Sequence, residues 1–91
     1  MRLIDFHRST QDLDPQLRLF WETPSSNRPI TDLRVVEDRL ECLSTSGRPL
    51  TLDQFRARVQ QVPPTASLFT PGPPPQRLYG YRLITHQILL G

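Results

Sequence analysis

A thiol nucleophile needs a base beside it, and this chain offers Cys42 only His7 and His86 for that role. Both are remote from it in sequence. Glu41 and Leu43 flank Cys42 in a β-prone run, where a lone cysteine behaves as a small, inert hydrophobe. The same three residues are the soft metal donors, and no Cys-x-x-Cys or His-x-x-x-His spacing joins them. Asp12 and Asp14 form a local carboxylate pair, which falls far short of a calcium loop. Glu37-Asp38 lies between two β-prone runs, where polar residues serve chain reversal. There is no glycine-rich phosphate loop and no serine nucleophile elbow. The sequence therefore predicts no catalytic residue, no metal and no cofactor. Nothing in it points to a small-molecule substrate.

Charge is distributed more tellingly. Asp53 is the last acidic residue, so all nine carboxylates lie in the first 53 positions. Beyond it stand Arg56, Arg58, Arg77 and Arg82, and every one of the eleven basic residues is arginine. Guanidinium favours planar, bidentate contact with carboxylate, phosphate or aromatic faces. A carboxylate-free basic half suits an acidic partner surface or nucleic acid. Arg77-Leu78-Tyr79-Gly80-Tyr81-Arg82 interleaves arginines with tyrosines. On a strand, Tyr79 and Tyr81 would point the same way and offer flat rings to unstacked bases, with Arg56 and Arg58 adding phosphate contacts. Yet no helix-turn-helix, zinc-finger or RNA-recognition signature accompanies them.

Protein binding draws on more of these features. Arginine, tyrosine and tryptophan are the residue types that dominate binding hot spots. Pro71-Gly72-Pro73-Pro74 has the PxxP spacing of an extended ligand for an aromatic groove, although Arg77 stands one residue too far for the common PxxPxR arrangement. The surface this implies comprises Pro73, Pro74, Pro75, Arg77, Tyr79 and Tyr81. The alternative is a nucleic-acid-binding accessory protein using Arg56, Arg58, Arg77 and Arg82.

Ninety-one residues make one small domain with a thin core, and ten prolines limit regular structure. A thin core favours completion by another protein or by a second copy of the chain. One cysteine allows no internal disulfide, and Met1–Asp5 reaches a carboxylate too early for a secretion signal. No apolar run approaches the length of a membrane span. These features predict a soluble, cytoplasmic protein.

The elements that would position these side chains follow from periodicity. Leu3–His7 predicts a short strand with Ile4 and Phe6 on one face. Residues 16–22 fit either a strand, with Leu17, Leu19 and Trp21 alternating, or a short helix begun by Asp14-Pro15; the brevity of the run favours the strand. Leu33–Val36 and Leu40–Leu43 predict a hairpin, followed by a turn at Thr45-Ser46-Gly47. Thr51-Leu52-Asp53-Gln54 is a capping box opening a helix over 52–62, ended by Pro63-Pro64. Residues 63–75 hold six prolines and predict a polyproline-like connection. Arg77–Leu90 predicts one long strand, with Ile84, His86, Ile88 and Leu90 alternating on one face, Gly80 at a bulge and the apolar end tucked into a sheet. The fold class is α+β: a mainly antiparallel sheet of about four to six short strands with the helix packed on one face. Leu52, Phe55 and Val59 should then meet Val35, Leu40, Cys42 and Ile84.

Overall fold

Proline and turn residues cut the β-prone sequence into strands of three to five residues. The computed structural model describes residues 1–91 and has the chain order α1 (Leu3–Ser9), β1 (Arg18–Glu22), β2 (Asn27–Pro29), β3 (Asp32–Val36), β4 (Arg39–Leu43), α2 (Leu52–Arg58), β5 (Ser67–Phe69), β6 (Tyr81–Ile84), β7 (Gln87–Leu90). The class is α+β. The strands form two mixed sheets rather than one, in the orders β2-β1-β7-β6 and β3-β4-β5. Hairpins supply the antiparallel pairs, whereas β1–β7 and β4–β5 are parallel. Parallel partners lie far apart in the chain, so local alternation carries no signal of their pairing.

α2 begins as its sequence requires. Thr51 Oγ1 accepts from the Gln54 amide at 3.1 Å, and Gln54 Oε1 accepts from the Thr51 amide at 2.9 Å. The helix proper stops at Arg58, short of the predicted 62, and residues 59–62 continue as turns and a bend. Val62 still packs against the core from these turns. The hairpin of β3 and β4 forms as predicted, pairing Leu33 with Cys42 and Val35 with Leu40 across Glu37-Asp38. The following turn contains Gly47 at φ 131°, a conformation open to glycine.

Leu3–His7 is helical, not a strand. Leu3, Phe6 and Thr10 are buried, a three-then-four spacing that belongs to a helix and that the Ile4/Phe6 alternation obscures. Arg2 supplies no side-chain cap. Carbonyls from the chain before β5 serve instead: Leu3 N–H donates to Ala66 O at 2.8 Å and Ile4 N–H to Pro64 O at 3.0 Å. The cap is tertiary, so a local reading misses it.

The predicted single C-terminal strand is a hairpin. Thr85-His86 turns the chain, with His86 at φ 61°, and Ile84 pairs with Gln87. This two-residue turn puts Ile84 on the face of Gln87 and Leu89, so Ile84 and His86 leave the row formed by the buried Ile88 and Leu90. β7 is tucked between β1 and β6, as the apolar ending predicts. In the core, Leu52 and Phe55 join Leu40, Cys42 and Leu68, with Val59 packed alongside. Val35 does not take part: it lies on an edge strand and is 51% exposed.

Leu19, Ile30 and Leu50 meet where the two sheets and α2 converge. Leu19 N–H donates to Leu50 O (2.9 Å), Leu50 N–H to Ile30 O (2.8 Å), and Ile30 N–H to Leu19 O (3.0 Å). All three side chains are buried. Leu19→Ala leaves a cavity among them and is expected to cost about 2–5 kcal/mol. Thr51→Ala should cost about 1 kcal/mol through the lost cap, and Val35→Ala less than either. Urea midpoints in that order check the assignment of the core; equal losses at Leu19 and Val35 would refute it.

Candidate functional site

Backbone pairing closes the base of the proline-rich loop. Thr70 N–H donates to Gln76 O at 2.8 Å, Gln76 N–H donates to Thr70 Oγ1 at 3.2 Å, and Leu78 N–H donates to Leu68 O at 2.9 Å. Leu78 is buried and fixes the outgoing chain. Between these anchors Pro73, Pro74, Pro75, Gln76 and Arg77 are exposed in succession. The segment 63–75 is not one polyproline run. Ser67–Phe69 forms β5 beside β4, because Leu68 pairs with Leu40 and is wholly buried. The loop tip also doubles back: a Cβ on Gly72 would stand 2.5 Å from Pro75 Cδ.

Tyr79 and Tyr81 are not a matched pair. Tyr79 is 78% exposed and precedes β6. Its N–H and that of Gly80 both donate to Gly91 O, and Gly91 N–H returns to Gly80 O. Gly80 thus lies before β6, in a closure with the chain's last residue, and not at a bulge within a strand. Tyr81 turns inward, packing edge-on against Phe6 at 5.6 Å, and its hydroxyl donates to Ser9 O at 3.1 Å.

Under the loop lies an aromatic–guanidinium stack that the sequence does not announce. The Arg77 guanidinium sits 5.4 Å from the centroid of the Phe69 ring and that of Arg39 sits 5.8 Å from it. Arg39 Nη2 also donates to Glu41 Oε2 at 3.4 Å, and Arg34 Nε donates to Glu41 Oε1 at 3.1 Å with Nη2 on the same oxygen. Register places Arg34, Glu41 and Phe69 side by side across β3, β4 and β5. Glu41 is only 3% exposed, yet its hydrogen bonds from Arg34, then from Arg39, outweigh burial and hold its carboxyl below the usual range. The alternation of Leu68 inward and Phe69 outward is a strand signal, but two residues flanked by prolines are too few to reveal it.

Arg56, Arg58 and Arg82 are engaged in separate parts of the fold. Arg58 Nη1 reaches Asp32 and Arg82 Nη2 reaches Glu22, each at 2.8 Å. Arg56 Nη2 donates to Thr10 O at 2.6 Å. Arg77 has an aromatic neighbour and forms no ion pair. His7 is exposed on α1, His86 is exposed in a turn and Cys42 is buried on β4. No three histidine, cysteine or acidic side chains gather as a ligand set. No helix is long and apolar enough to cross a membrane. Comparison with protein-family models, curated proteins and solved structures finds no match.

Burial pushes the Cys42 thiol up to about 12. Iodoacetamide at pH 8 is expected to leave native Cys42 unmodified and to label it in urea; rapid native labelling would contradict the buried placement. Because the folded carboxyl of Glu41 titrates below its unfolded value, its stabilisation is complete above about pH 4.3. It is lost as pH falls through the folded value. Between pH 5 and 3 the urea midpoint of the native chain should therefore fall further than that of Glu41→Gln, and parallel declines would count against the pairing.

Proposed function

We propose that this chain is a small non-enzymatic adaptor or regulatory domain that binds another protein through Pro73–Arg77 and Tyr79. The observation that carries this reading is the unbroken exposure of residues 73–77 on a loop whose base is hydrogen-bonded shut. Prolines lose little backbone freedom on docking, and a closed base lowers the cost further. Tyr79 supplies a large, stiff ring with a polar tip, and Arg77 a cation without an acidic partner. The complementary partner surface is acidic and carries an aromatic-lined furrow for the prolines. Tyr81, occupied by Phe6 and Ser9, acts behind this surface by fixing the strand that follows Tyr79.

Nucleic-acid binding draws less support from the same arginines. Arg58 and Arg82 already hold carboxylates, and a phosphate would have to displace them. A photo-crosslinking residue placed at Tyr79 should capture one protein partner in the producing cell, whereas the same residue at the exposed Ala57 should not. Capture should disappear when Pro73–Pro75 are replaced by Gly/Ser or when Arg77 is changed to Glu. Capture indifferent to both changes overturns the proposed surface. Failure to capture protein, together with single-stranded oligonucleotide affinity that falls steeply with salt, replaces this reading with the nucleic-acid one.

A further inference from the structure

We infer that the groove between α1 and α2 is a binding site for a small apolar monocarboxylate, separate from the loop surface. Its volume is about 330 Å³, which lies at the lower end of the range of small-ligand sites. Leu52, Phe55 and Phe6 form its apolar floor, with the two rings packed edge-on at 5.3 Å. Ile4, Val59 and Val62, each half-buried, stand along its walls. Each helix has seven residues and so runs about 10 Å, too short a cradle for a partner helix of several turns. A ligand of about ten heavy atoms suits it better than a macromolecule.

The groove carries one permanent cation, Arg56, and no carboxylate lines it. Arg56 enters no ion pair. Its Nη2 is spent on the carbonyls of Thr10 (2.6 Å) and Gln11 (3.4 Å), which pins the guanidinium at the end of α1. Nε is sealed from solvent and so lies beyond a ligand's reach, whereas Nη1 bonds to nothing in the protein and is not sealed. A pinned guanidinium with an accessible N–H that has no protein acceptor takes a charged acceptor most favourably. One fixed cation with an idle Nη1 over an apolar floor balances a single negative charge on an apolar body. An alkyl or aryl carboxylic acid has that chemistry.

Titrating the whole chain with octanoate and with octanamide, observed by amide chemical shifts, tests the site. Octanoate is expected to bind at least tenfold more tightly, with shifts concentrated at α1 and α2. Arg56→Gln should bring the acid down to the level of the amide. Gln60→Glu changes only an exposed rim residue, so folding is not at issue. It should weaken octanoate several-fold at low salt and leave octanamide unchanged. Equal affinity for acid and amide, indifference of octanoate to Gln60→Glu, or no binding of either overturns the inference.

Discussion

The rest of the fold hangs on the three mutual backbone hydrogen bonds of Leu19, Ile30 and Leu50. Leu19 belongs to β1, Ile30 joins the end of β2 to the start of β3, and Leu50 leads into α2. Both sheets and the capped helix are therefore tied at one buried point. The tie extends outward: Leu52 N–H reaches Leu17 O, Asp53 N–H reaches Pro15 O, and Thr31 N–H reaches Leu43 O. A chain this short has few apolar residues to spend, so a shared node does what a larger core would do elsewhere. Amides buried at such a junction must be matched, and here each donor finds a carbonyl within 3.0 Å.

The lopsided charge of the sequence is offset in space at two of the four arginines beyond Asp53. Asp32 and Glu22 from the first half meet Arg58 and Arg82 from the second. The Arg82–Glu22 pair reaches from β6 to β1 over the intervening β7, where Leu89 is buried on that side. These pairs are solvent-exposed and contribute little to stability; their consequence is to confine free cationic character to fewer places. Arg77 and Arg56 differ from them. One stacks on an aromatic ring and the other is held by carbonyls, so both keep a full charge available.

Those two arginines also mark two kinds of surface. At Arg77 the chain projects a closed, proline-stiffened loop with an exposed tyrosine beside it, a convex feature suited to another protein. At Arg56 the two helices leave a concave apolar trough. Glu41 supports the first from beneath: it holds Arg39, which with Arg77 flanks Phe69, so the loop sits on an ordered layer.

What the sequence determined by itself was local. Thr51 and Gln54 sit three residues apart and cap each other in the structure; Leu33–Val36 and Leu40–Leu43 pair across a two-residue turn; Gly47 takes the positive φ its turn needs. Each of these depends on neighbours within a few positions, which a linear reading can weigh. Tertiary structure alone decided the rest. Leu3–Ser9 became a helix because Pro64 and Ala66 capped it from elsewhere, and Leu68-Phe69 became a strand because β4 offered an edge. Arg77–Leu90 folded back at Thr85-His86, reversing which residues share a face. The α1–α2 groove and the Arg39–Phe69–Arg77 stack likewise join residues distant in the chain. Capping carbonyls, strand edges and opposing rings supplied from afar leave no periodic trace in the segments they organise, and for that reason these features became visible only once the chain was closed.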